Sequence, residues 1–235
     1  MAANQILDGG LTTTYGVELV FAGDHVPLAG QVDYPSSPPP SEGFPLIFIL
    51  HHAGCNNRDW YWPFAEVGLR AGAAVFRWDK RGTGRSGASG RGSATQDAVN
   101  AYEIALEQPN INRKRVVILA QDAGSALLGN AYGLFARIQK PHGVVLLSNM
   151  LDGEAVEAID CRVHILMSAN DWNPWQTYAR AAVNAHNAAY HLDSSCAVIP
   201  DVDRKLLDDR EYLAPAARSI LTDWLQDLCR PSTSI

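Results

Sequence analysis

Three glycines, Gly82, Gly84 and Gly87, follow the apolar run Ala73–Asp79 with G-x-G-x-x-G spacing. Such spacing can cradle a dinucleotide pyrophosphate when a helix opens on the third glycine and an acidic side chain follows about 20 residues on. Here Gly87 runs into Ala-Ser-Gly-Arg-Gly-Ser-Ala-Thr, which reads as further loop, and no lysine completes a phosphate-binding loop. No cofactor is expected. Cys55, Cys161, Cys196 and Cys229 lie far apart without C-x-x-C spacing, and no His, Cys and carboxylate residues share metal-ligand spacing, so no metal is expected. Trp60, Trp62, Trp172 and Trp175 flank two loops that leave strand ends. Packing helices onto a sheet is the ordinary use of such residues. Open α/β sheets bind ligands at the carboxyl ends of their strands, so Trp60, Trp172 and Trp175 are also candidates for a pocket wall.

Those residues must be carried by regular elements, and the apolar periodicity supplies them. Leu11–Phe21 and His25–Pro35 read as strands joined by a turn at Ala22-Gly23-Asp24, a hairpin. A proline-rich loop leads to the continuous apolar run Pro45–Leu50, suited to a strand covered on both faces. Helices over 60–72, 93–108, 124–139, 175–190 and 211–228 then alternate with strands over 73–79, 115–121, 143–150, 163–170 and 196–201. Repeated strand–helix units imply a mostly parallel central sheet flanked by helices, with the antiparallel hairpin in front. Only about a dozen residues separate the strand ending at Met150 from the one near Arg162, too few for a lid domain. One α/β domain over residues 1–235 is expected.

Composition narrows the partners. With 47% hydrophobic and 19% charged residues, the chain can bury a full core and is not a disordered one. A net charge of -6 argues against the basic face that nucleic acid requires. The apolar run Phe44–Leu50 falls well short of the roughly 18 residues of a membrane helix, so no membrane partner is expected. The opening MAANQILDGG has neither the basic nor the apolar region of a secretory signal. A cytoplasmic address with reduced thiols is the expectation.

The order of elements resembles the α/β-hydrolase family, and four stretches spread through nearly the whole chain carry the resemblance. His51-His52-Ala53-Gly54 matches the family's His-Gly oxyanion loop. Asp79-Lys80-Arg81-Gly82-Thr83-Gly84-Arg85-Ser86 matches its D-x-R-G-x-G-x-S turn. Ile111–Ser125 lines up with its strand, nucleophile elbow and following helix, and Ser168-Ala169-Asn170-Asp171 falls at the turn bearing its acid. The resemblance implies an α/β-hydrolase fold without a lid, and an oxyanion hole from the backbone N–H groups of Ala53 and Ala123. It also implies a pocket beside His51 for a small-molecule ligand or substrate.

The same alignment makes the chemistry unusual. The elbow reads Ala120-Gln121-Asp122-Ala123-Gly124, so Asp122 stands where the family has its nucleophile, and Arg204 stands where it has its histidine. Some relatives, haloalkane dehalogenases and soluble epoxide hydrolases, attack through an aspartate there. They usually follow it with tryptophan and carry a cap, and this chain has neither. Arginine has no lone pair to accept a proton, so it cannot be the general base of ester hydrolysis. Beside Asp171, the set Asp122, Asp171 and Arg204 instead suits a cluster that satisfies its own charges. His52 could point toward Asp122 as a replacement base, although reshaping of the pocket is its plainer role. The expectation is a relative of small-molecule ester hydrolases with negligible serine-esterase activity. Two alternatives stand beside it: a catalytically silent protein binding a small apolar ligand or a protein partner, and a rewired hydrolase or lyase using Asp122 as nucleophile or base.

Overall fold

The computed structural model describes residues 15–54, 57–171 and 175–230, with the side chains of 175–177 outside that description. One eight-stranded sheet organises them: β1 (Tyr15–Ala22), β2 (Pro27–Tyr34), β3 (Phe44–Leu50), β4 (Ala74–Trp78), β5 (Ile111–Gln121), β6 (Gly143–Leu147), β7 (Arg162–Ser168) and β8 (Ser195–Ile199). Their spatial order is β1-β2-β4-β3-β5-β6-β7-β8. The β1–β2 and β2–β4 pairs are antiparallel and every other pair is parallel. The expected sheet with its leading hairpin is therefore present. Residues 11–14 of the expected first strand lie outside the described residues.

The sheet is covered on both faces because the parts of its central strands that lie under the helices are apolar on both sides. All seven residues of β3 are buried. Alternation along each strand sends Leu46, Phe48, Ile118, Ala120, Val144 and Leu146 to one face. There they meet α2 (Ala94–Leu106), α3 (Ala123–Ile138) and α5 (Trp175–Tyr190). Ile47, Ile49, Val117, Leu119, Val145 and Leu147 take the other face, under α1 (Trp62–Arg70) and α6 (Pro215–Cys229). Two cores result, one per face, and the strand ends between them are free to carry loops.

Three differences from the sequence reading have local causes. α1 begins at Trp62, not Trp60, because a 3-10 turn over Arg58–Tyr61 precedes it and Pro63 sets its first turn. β5 begins at Ile111, not Arg115, because Ile111 pairs with Phe44 across an irregularity in register. The connection between β6 and β7 folds into the short helix α4 (Gly153–Glu157), which Asp152 caps by accepting a hydrogen bond from Ala155 N–H. That connection carries no lid. Among the described residues no helix is long and apolar enough to cross a membrane. Cys161, Cys196 and Cys229 are unbridged, and Cys55 lies outside the described residues.

Candidate functional site

The site begins at the turn between β5 and α3. Asp122 takes φ 52° and ψ -117°, in the half of conformational space that a side chain ordinarily avoids. A residue held there costs about 1–3 kcal/mol, so its surroundings must fix it. Its N–H donates to Leu147 O at 2.9 Å, continuing the β5–β6 ladder one residue past the strand. Its carbonyl accepts from Ser125 N–H at 2.9 Å and from Ser125 Oγ at 2.6 Å, starting the helix. The small residues that follow are a steric requirement: a Cβ on Gly124 would lie 2.5 Å from Leu50 O and 2.7 Å from His51 O. The sharp turn thus presents the Asp122 side chain at the carboxyl edge of the sheet.

Arg204 reaches that edge from the loop after β8. Two serine hydroxyls at the ends of neighbouring strands hold this loop: Ser168 Oγ donates to Val202 O at 2.6 Å, and Ser148 Oγ donates to Arg204 O. The guanidinium then lies between two carboxylates. Arg204 Nη2 donates to Asp122 Oδ1 at 3.0 Å, and Nη1 stands 3.2 Å from Asp171 Oδ1. Asp171 follows β7, and its side chain is fully buried, whereas that of Asp122 is 32% exposed. The three residues that the sequence reading placed together are therefore in one ion-paired row.

A cavity of about 600 Å³ opens above this row, lined by His52, Gln121, Asp122, Ser148 and Arg204 and by the rim residues Asp201, Asp203 and Lys205. The two adjacent histidines part ways. His52 faces the cavity, where its Nδ1 accepts from Gly54 N–H at 2.8 Å, leaving the proton of the neutral ring on Nε2. Burial first, then the charge of Lys80, lower its pKa. His51 was expected to border the pocket, but it is buried edge-on between Tyr61 and Trp78, with ring centroids 4.7 and 4.8 Å away. Burial chiefly, with Lys80, pushes its pKa down to about 3. It is a packing residue, because the end of β3 turns it into the aromatic layer.

Trp60 does not line the cavity. It packs against His52 at 4.9 Å and against Tyr61 at 4.9 Å, so it backs the pocket wall without forming it. Trp172 lies outside the described residues; Trp175 begins α5, with its side chain outside the description. Ala53 sits exposed on the loop after β3. Ala123 is the first residue of α3, so its N–H has no acceptor within the helix. Lys80 fixes the loop that bears Ala53: its ammonium donates to the carbonyls of His52 at 2.6 Å and Gly54 at 2.5 Å.

Sequence reasoning missed four contributors: Lys80, Gln121, Ser148 and Ser168. The two serines had a signal, since each directly follows or ends a continuous apolar strand. The role of Lys80 depends on a contact 28 residues away and had none. The glycine-rich stretch proves to be a structural knot. A Cβ on Gly84 would meet the Asp79 carboxylate at 2.4 Å, and Asp79 accepts from the N–H groups of Arg58 and Arg85. Ser86 Oγ donates to Asp79 O and accepts from Ala29 N–H, fastening the turn to β2. α2 starts only at Ala94, so no helix terminus meets the glycines.

The fold as a whole is similar to that of solved structures. A thermophilic carboxylesterase cloned from a metagenomic library superposes with a TM-score of 0.69 at 9% identity, covering 97% of this chain and 92% of that one. The chain has the α/β-hydrolase fold. The esterase domain of a Rhodothermus marinus protein gives 0.66 at 15% identity, over 90% of this chain and 98% of that one. A predicted CIB-like hydrolase from Thermoplasma acidophilum gives 0.65 at 14%, over 91% and 99%. No protein-family model and no curated protein sequence matches the chain.

Proposed function

We propose that this chain derives from a small-molecule ester hydrolase and that its catalytic triad has been replaced by the ion-paired row Asp122–Arg204–Asp171. Its cavity then holds a small molecule without serine-type ester cleavage. The observation that carries this reading is the guanidinium between the two carboxylates, 3.0 Å from one and 3.2 Å from the other. In a working triad the central group accepts a proton from the nucleophile and is oriented by the acid. Arg204 has the same neighbours, but it is a permanent cation with no lone pair, so it can hold charge and cannot move a proton. Nor does His52 replace it, since its Nδ1 is occupied by Gly54 N–H and its Nε2 carries the proton. Relatives with esterase activity, together with the polar groups around the cavity, support a small-molecule ligand as the partner.

Loss of a triad base costs on the order of 10⁴–10⁶-fold in turnover. Hydrolysis of short-chain p-nitrophenyl esters by the natural chain is therefore expected at background level. Asp122→Ser combined with Arg204→His should gain measurable turnover, while either change alone should not. Robust activity in the natural chain would refute the proposal.

A second reading rests on a separate observation. Asp122 keeps the strained backbone of the turn, and its side chain remains one-third exposed to the cavity, as attack on an electrophilic carbon would require. This reading makes the chain a rewired hydrolase or lyase, and it predicts turnover that Asp122→Asn abolishes. Arg204 weighs against it, because an ion pair on Oδ1 draws nucleophilicity out of the carboxylate.

A further inference from the structure

Beside the Asp122–Arg204–Asp171 row stand two acceptors that no described residue satisfies. Gln121, the last residue of β5, is 2% exposed, and its Oε1 is buried with no hydrogen-bond partner among the described residues. It lines the same cavity as Asp122. A buried acceptor without a donor costs free energy in every state of the protein that leaves it so. The terminal amide torsion is soft, so the amide can turn Oε1 toward a donor in the cavity. Beside it, Arg204 engages Asp122 through Oδ1, and no described residue bonds or pairs with Oδ2.

The charges favour a donor over an acceptor. Four carboxylates, Asp122, Asp171, Asp201 and Asp203, surround or underlie the cavity, against two cations, Arg204 and Lys205. Arg204 is committed to two of the carboxylates. Lys205, Asp201 and Asp203 all stand exposed at the rim, where water screens them, so the balance is set by Asp122 and Asp171 against Arg204. His52 brings a neutral ring.

We infer that the cavity binds a small organic cation, an ammonium or amidinium group, which donates to Asp122 Oδ2 and Gln121 Oε1. The inference rests on the reading of the cavity as a ligand site and names the chemical class of that ligand. A cavity of about 600 Å³ suits a ligand of ordinary metabolite size. Charge-assisted hydrogen bonds to Asp122 supply the selectivity, and the buried amide oxygen gains the partner it lacks.

Four probes of matched size decide the matter: benzylamine, benzamidine, benzyl alcohol and benzoate, titrated calorimetrically at neutral pH and low salt. The two cations should bind at least roughly fivefold more tightly than the alcohol, with benzoate weakest, and high salt should narrow the gap. Asp122→Asn should abolish the preference, and Gln121→Leu should weaken cation binding by roughly threefold or more. Equal binding of the alcohol, tighter binding of benzoate, or no binding of any probe would overturn the inference. Cation binding unchanged in both variants would also overturn it. Should Gln121→Leu fail to fold, the probe series on the natural chain and on Asp122→Asn is decisive alone. Ester cleavage by the natural chain would sink the silent-site reading and leave a cation preference standing. A silent chain without the preference would sink this inference only.

Discussion

Replacing Arg204 with methionine tests the ion-paired row most directly, because methionine keeps the length of the stem and removes only the charged head. Arg204 Nη1 lies 3.2 Å from a carboxylate whose side chain is fully buried. Breaking a buried pair by removing one partner takes from the other its counter-ion and costs about 3–5 kcal/mol. Asp122, one-third exposed, is solvated after the change, and its share is about 1 kcal/mol or less. For a chain of this length each kcal/mol lowers Tm by about 2–4 °C, so a drop of roughly 6–20 °C is expected. A double-mutant cycle isolates the cause. Asp171→Asn removes the other charge, so Arg204→Met combined with Asp171→Asn should be more stable than Arg204→Met alone by about 1–3 kcal/mol. Denaturant unfolding of the four proteins measures both quantities. An Arg204→Met variant within about 0.5 kcal/mol of the natural chain, or a cycle with no coupling, would refute the reasoning.

Gly124→Ala should destabilise the chain by about 1–3 kcal/mol in chemical unfolding, because the new Cβ meets backbone oxygens at 2.5 and 2.7 Å that cannot rotate away. Ser148→Ala should cost about 1–3 kcal/mol by the same assay, since it strips the Arg204 carbonyl of its hydroxyl donor and loosens the loop that aims the guanidinium. His51 and His164 are held neutral, with pKa values pushed down mainly by burial to about 3 and about 4. Both are depressed below the ordinary value, so the unfolded chain binds more protons once the pH drops under about 6.5, and stability falls toward acid pH until the folded histidines titrate. Each should take away about 2 kcal/mol between pH 7 and pH 5. His164→Phe, which can keep the stack on Trp224, should flatten part of that slope in thermal unfolding against pH; an unchanged slope would show that the ring is not desolvated.

The fold was legible because its strands are short apolar runs and its helices are amphipathic, and because the turns between them carry their own residue chemistry. Asp122 and Asp171 could be placed because the turns that carry them resemble the nucleophile elbow and the acid turn of the α/β-hydrolase family, each following an apolar strand. Arg204 was placed by the same resemblance, at the family's histidine position in the loop between the last strand and the last helix. What escaped was anything decided by a partner far along the chain. The orientation of His51 depends on Tyr61 and Trp78, which close around it from two other elements, while its neighbour His52 faces the cavity. Trp60 reads as a pocket aromatic and instead supports a pocket histidine, a distinction fixed by the 3-10 turn that no periodicity announced. The buried, unpartnered oxygen of Gln121 is invisible to pattern reading, since a glutamine ending a strand is ordinarily solvated.

The strand order also sets a timetable for synthesis. β3 lies between β4 and β5 in the sheet, yet β5 is completed only at Gln121, some 70 residues after β3 leaves the ribosome. At about 5–20 residues per second, this fully buried strand waits on the order of 4–14 s with one edge unpaired. A nascent apolar strand with an open edge is the segment that aggregates. The prolines at 38–40 stand before β3, Pro45 sits at its second position, and the histidine pair at 51–52 follows it, residues that pair poorly in a growing sheet. They act as guards for a strand that is born long before its neighbour.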